Sequence, residues 1–161
     1  MTLDIRDRSA GDRARAVQLI NKTNQFNLNG RRIDDHEVAT LLAQGSKLLT
    51  ATLTDRTGSH GEILAALIDP NGRITSMVMS CRVFQRRVEF AFLAWVAGRW
   101  PHLKSAVYIP TDRNTPVGRF VSELGTPIAE DGTVTLNSAT LVEQGARDVA
   151  LFTIHFEASV A

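Results

Sequence analysis

The sequence predicts an α/β sandwich, a mostly antiparallel central sheet flanked by helices. Three observations carry this prediction. Residues 47–54, 62–69 and 73–80 are apolar runs (KLLTATLT, EILAALID, RITSMVMS) separated by turn-forming segments, DRTGSHG and PNG. Helical periodicity brackets them, before residue 45 and again from residue 86. The composition, 43% hydrophobic and 22% charged in 161 residues, is that of an ordinary globular chain.

Taken in order, Ser9 with Asp12 reads as a capping box, and Ala14, Val17, Leu19 and Ile20 form a helical stripe to about residue 22. The polar stretch TNQFNLNGRR follows as a loop. Asp34 or Asp35 caps a second helix through Leu42, which Gly45 stops. After the three strands comes a long helix over 86–99 with Val88, Phe92, Leu93, Trp95 and Val96 inward, ended by Trp100-Pro101. Residues 104–109 are a strand, and Pro116 to Leu124 a short helix stopped by Gly125. Late strands are expected near 133–137 and 148–157, with a helical turn at 139–144. The order is ααβββαβαββ, with no repeat or linker, so residues 1–161 read as a single domain.

Bulk numbers exclude several classes. No apolar run approaches the length of a membrane span, and the charged N-terminal stretch does not read as a secretory signal. The single cysteine, Cys81, fits a reducing cytoplasm and rules out an internal disulfide or a multi-cysteine zinc site. His36, His60, His102 and His155 show no ligand spacing, so no metal is expected. A net charge of +1 argues against a nucleic-acid binder. Yet 15 of the 18 cations are arginine, whose planar fork suits phosphate and carboxylate. Three of them, Arg82, Arg86 and Arg87, sit where the third strand gives way to the long helix. Positive charge there opposes the helix dipole, which points to an anion at that seam.

Three segments make the reading more specific: QLINKTNQFNLNGRR (18–32), MSCRVFQRRVE (79–89) and YIPTDRNTPVGRFVSELG (108–125). Together they resemble the C-terminal acyltransferase-like half of the FkbH-like family, which acts on carrier proteins in natural-product pathways. The resemblance covers about residues 14–125. It implies the GNAT acyltransferase fold, in which two neighbouring strands, here 73–80 and 104–109, splay apart to receive a pantetheine arm. The family's N-terminal haloacid-dehalogenase-like domain and its DxDx(T/V) motif are not present in this chain.

The resemblance also distributes roles. The acyl-CoA signature of the GNAT fold, R/Q-x-x-G-x-G/A, falls on Arg82 to Arg87, with Gln85 and Arg87 in the two glycine positions. Those side chains crowd a diphosphate and add donors, which suits the single phosphate of a carrier-protein phosphopantetheine better than CoA. Thioester and phosphopantetheine contacts are therefore expected from Cys81, Arg82, Val83, Gln85, Arg86 and Arg87. The amides of Cys81 and Val83 would polarise the thioester carbonyl. Asn114 and Thr111 serve either the pantetheine or a turn and helix cap. Asn24, Gln25, Phe26 and Asn27 are expected on the acceptor side. A tyrosine that protonates the leaving thiolate in many GNAT enzymes is replaced by Val121, and the only tyrosine is Tyr108. His60, Glu62 and His155 are the candidates for a base.

The implied activity is acyl transfer from a carrier-protein phosphopantetheine thioester, or acyl-CoA, to a small amine or hydroxyl acceptor. An acyl carrier protein and a small-molecule acceptor are the implied partners. The alternative is a non-catalytic carrier-protein-binding module derived from a two-domain FkbH-like enzyme.

Overall fold

The computed structural model describes residues 1–159 and shows an α/β domain with one seven-stranded mixed sheet. Strands β1 (Thr2–Asp7), β2 (Lys47–Asp55), β3 (Gly58–Ile68), β4 (Arg73–Met79), β5 (Ser105–Val107), β6 (Thr133–Thr135) and β7 (Thr153–Glu157) lie in the order β6-β5-β4-β3-β2-β1-β7. Four pairings are antiparallel; β1–β7 and β4–β5 are parallel. Helices α1 (Ala14–Lys22), α2 (Asp35–Ala43), α3 (Val88–Arg99), α4 (Thr115–Leu124), α5 (Ser138–Gln144) and α6 (Ala146–Val149) complete the chain.

Strand alternation builds two cores. Leu49, Ala51, Leu64, Ala66, Met77 and Met79 face Phe92, Val96, Val117 and Val121 of α3 and α4. Their neighbours Leu48, Ala65, Leu67 and Val78 point the other way, onto Ala16, Leu19 and Ile20 of α1 and Val38 of α2. A one-residue slip would exchange the two sets, so burial of both faces locks the register. Asp34 caps α2 by accepting from the Glu37 N–H at 2.8 Å, and Gly125 in the left-handed region ends α4. At the β3–β4 turn, Gly72 has φ +79°, and a Cβ there would lie 2.2 Å from the His102 carbonyl oxygen. Only glycine fits.

Three expectations needed correction. Residues 2–7 form a strand that the element order omitted, although Leu3 and Ile5 alternate and are buried. The run 148–157 is divided: Asp148 belongs to α6, and only residues 153–157 pair, beside β1. Ser9 does not make a capping box, because its Oγ accepts from the Leu48 N–H while Asp12 Oδ1 accepts from the Ala14 N–H.

β4 and β5 are paired only at Arg73↔Ser105 and Ile74↔Ala106. Beyond those two pairs the strands part, and the divergence positions everything that follows.

Candidate functional site

The space between the diverging strands is filled by the chain itself. In the loop after α1, the Phe26 carbonyl accepts from the Met79 N–H at 3.0 Å, and the Leu28 N–H donates to the Met77 carbonyl at 3.1 Å. On the other side the Ile109 N–H donates to the Leu28 carbonyl at 2.9 Å. Residues 26–28 therefore act as a short strap between β4 and β5, bridged to β4 at Asn27↔Val78. The Phe26 ring, 2% exposed, enters the α3–α4 side of the core, 6.3 Å from Phe84 and 5.4 Å from Phe120.

Two buried asparagines fasten the strap. Asn27 Oδ1 accepts from the N–H groups of Asn29 and Gly30, and its Nδ2 donates to the Thr23 carbonyl. Asn114 Nδ2 donates to the carbonyls of Asn27 and Ile109, both at 2.9 Å, while its Oδ1 accepts from the Thr111 N–H at 2.7 Å. Thr111 Oγ1 in turn accepts from the Arg113 and Asn114 N–H groups. Phe26, Asn27, Thr111 and Asn114 are thus brought together, and in this conformation they hold the backbone.

The seam after β4 opens with Ser80, whose Oγ accepts from the Arg82 N–H, and a 3-10 turn over Cys81–Val83. The Val83 N–H is used inside this turn, donating to the Ser80 carbonyl at 3.3 Å. The N–H groups of Cys81, Gln85 and Arg87 find no acceptor among the described residues. Gln85 (φ 68°) and Arg87 (φ 65°) are the two non-glycine residues with positive φ in the described chain. Left-handed backbone costs an L-residue about 1–2 kcal/mol. Gln85→Gly is therefore expected to raise stability by roughly 1 kcal/mol in urea unfolding, since the exposed Gln85 side chain has no hydrogen-bond partner to lose.

The three seam arginines point three ways. Arg86 pairs with Asp55 at the β2–β3 hairpin. Arg87 donates from Nε to Asp148 at 2.8 Å and from Nη1 to Glu123 at 2.7 Å, and stacks on Phe90 at 3.8 Å. Its two carboxylates hold the guanidinium protonated far above any working pH. Among the described residues Arg82 alone of the three has no carboxylate partner, and its Nε donates to Ser80 Oγ at 3.3 Å. Two residues beyond Arg87, Glu89 in the first turn of α3 has a carboxyl pushed up by burial, with Oε2 unpartnered among the described residues.

The candidates for a base are dispersed. His60 Nε2 lies 2.9 Å from Asp55 Oδ2. Hydrogen bonds from Thr57, His60 and Arg86 hold the Asp55 carboxyl well below the usual carboxylate range. A group depressed in the folded state stabilises it above the unfolded pKa, about 3.9 for Asp, and that contribution fades as pH falls below this value. Asp55→Asn is accordingly expected to flatten the acid limb of the stability–pH curve below about pH 4, read by thermal melts. Glu62 Oε1 accepts from Arg8 Nε (2.9 Å), Arg8 Nη2 (2.6 Å) and Thr50 Oγ1 (2.9 Å). His155 sits on edge strand β7 beside Asp4, with three strands between it and β4, a separation of roughly 19 Å. It is not brought to the seam.

What the fold does assemble is a groove of about 580 Å³ between α1 and the turn after β4. It joins Asn24 and Gln25 to Cys81 and Arg82, and adds three residues that were not singled out in the sequence: Arg15, Gln18 and Lys22. Their i, i+3, i+7 spacing on a helix without an acidic residue was the available signal. Among the described residues no group of His, Cys, Asp or Glu is placed to hold a metal ion, and no helix is long and apolar enough to cross a membrane. No protein-family model matches the chain, and no curated protein matches it.

Proposed function

We propose that this chain is a GNAT-type domain, similar to the C-terminal half of FkbH-like proteins, that recognises a carrier protein's phosphopantetheine without transferring its acyl group. Support for the GNAT fold comes from the element order, from strands β4 and β5 parting after two residue pairs, and from the seam loop. Gln85 and Arg87 occupy the positions where the GNAT signature has glycine, and both keep a left-handed backbone. Left-handed residues in such a turn can present successive backbone N–H groups to a phosphate, which supports the reading.

The strap carries the functional conclusion. A pantetheine arm bound between β4 and β5 needs the Met77 carbonyl and the Met79 N–H, and residues 26–28 already use both. Phe26 occupies the space beneath. What stays open to a carrier is Arg82 and the N–H groups of Cys81, Gln85 and Arg87, which find no acceptor among the described residues. Arg86 and Arg87 contribute through backbone and shape, since their guanidinium groups are committed to carboxylates.

Acyl transfer is the second reading, favoured by one contact. A Cβ on Gly118 would lie 2.8 Å from the Tyr108 hydroxyl, so this glycine gives Tyr108 access to α4 one turn before Val121. Tyr108 would then pass its proton to the departing thiolate as the acceptor nitrogen or oxygen bonds to the acyl carbon, the acceptor's own proton returning to the tyrosinate. That chemistry requires residues 26–28 to leave the gap.

Calorimetric titration of apo- and holo-carrier protein, with intact-mass analysis of acyl-carrier plus an amine panel, tests both. The binding reading predicts holo preferred at least about tenfold, weakening in Arg82→Ala, with no acyl loss. Acyl loss that depends on the domain supports the second reading, and equal apo and holo binding without turnover overturns both.

A further inference from the structure

The groove between α1 and the turn after β4 is rich in donors. Arg15, Lys22 and Arg82 bring three positive charges to it, and no carboxylate of the described residues lines it. None of the three is ion-paired among the described residues, unlike Arg86 and Arg87 at the same seam. The neutral groups have been turned to donors as well. Gln18 Oε1 accepts from Arg15 Nη1 at 2.6 Å, which leaves its NH2 for the groove. Asn24 Oδ1 accepts from Arg32, which leaves Asn24 Nδ2. Ser80 Oγ accepts from the Arg82 backbone and Nε, so its own proton is free to be donated.

Two features make this arrangement informative. Arg15 stands in the first turn of α1, where no acidic side chain offsets it and the helix dipole disfavours a cation. Leu19 and Met79, both buried, form an apolar floor that strengthens the field of the surrounding charges. About 580 Å³ is also the size of a small-molecule pocket, more than a lone ion needs.

We infer that this groove binds a small organic anion, its phosphate or carboxylate held by Arg15, Lys22 and Arg82 and its polar body by Gln18, Asn24 and Ser80. This site overlaps the carrier-protein site without resting on that reading. It shares Arg82 with that reading, and its distinguishing residues, Arg15 and Lys22, lie on α1. Inorganic phosphate, succinate and phosphopantetheine share the required chemistry and separate a free anion from the phosphate of a carrier arm.

The test is chemical-shift titration of the whole domain with each of those three probes. It is run on the wild type, on Arg15→Ala/Lys22→Ala, and on an Arg113→Ala control away from the groove. The α1 positions are exposed, so unchanged melting temperatures are expected. Saturable binding of phosphate or succinate at millimolar concentration, with shifts at Gln18, Asn24 and Cys81, is expected to weaken at least tenfold in the double variant and not in the control. Phosphate and succinate failing to saturate, or binding equally to wild type and double variant, overturns the inference. If only phosphopantetheine binds, and does so undiminished in the double variant, this inference fails while the carrier reading stands.

Discussion

Phe26→Ala is expected to destabilise the domain by about 3–5 kcal/mol, the usual cost of emptying a buried aromatic site. Phe26 is 2% exposed and contacts Phe84 and Phe120, the latter continuing to Phe90 at 4.9 Å. The loss reaches beyond the side chain. Without its anchor the strap loosens, and the carbonyl that accepts from the Met79 N–H moves with it. Urea unfolding measures the first effect, and amide exchange at Met79 and Ile109 measures the second. A change below about 1 kcal/mol would mean that the ring is not packed as described.

The second large effect is expected at Asn114. Removing its amide in Asn114→Ala strands the Asn27 and Ile109 carbonyls and the Thr111 N–H, in a site where Asn114 itself is 1% exposed. Each orphaned buried group costs about 1–3 kcal/mol, less where water enters, so a total near 3–4 kcal/mol is expected from chemical denaturation. Asn114→Asp separates the causes. It keeps the acceptor for Thr111 but sets a carboxylate oxygen against the Asn27 and Ile109 carbonyls in a buried site, so it should affect Met79 and Ile109 exchange as much as alanine does and cost at least as much stability.

Reading the chain alone reached the layers and most elements, because the two-residue period of β2, β3 and β4 and the apolar stripe of α3 are local signals. The β1 strand escaped because its buried pair, Leu3 and Ile5, is interleaved with Asp4 and Arg6, and a short charged run reads as an exposed terminus. The strap was invisible for a different reason. Asn24 to Asn27 carries no periodicity, and its extended pairing exists only because β4 and β5 part at that place. The seam arginines show the same limit. The sequence displays three neighbouring cations, but their fates depend on Asp55, Glu123 and Asp148, carboxylates distant in the chain. Position in the sequence collected the charges, and tertiary structure dispersed them.

That dispersal leaves the closed gap as the feature on which the functional account turns. Hydrogen exchange at the Met79 and Ile109 amides, with and without saturating acyl-holo-carrier protein, tests it most directly. The account predicts that both amides are protected in the free domain and remain equally protected when the carrier is bound. Loss of protection at Ile109 on binding would show the Leu28 carbonyl withdrawn and the gap opened to the arm, and would contradict it.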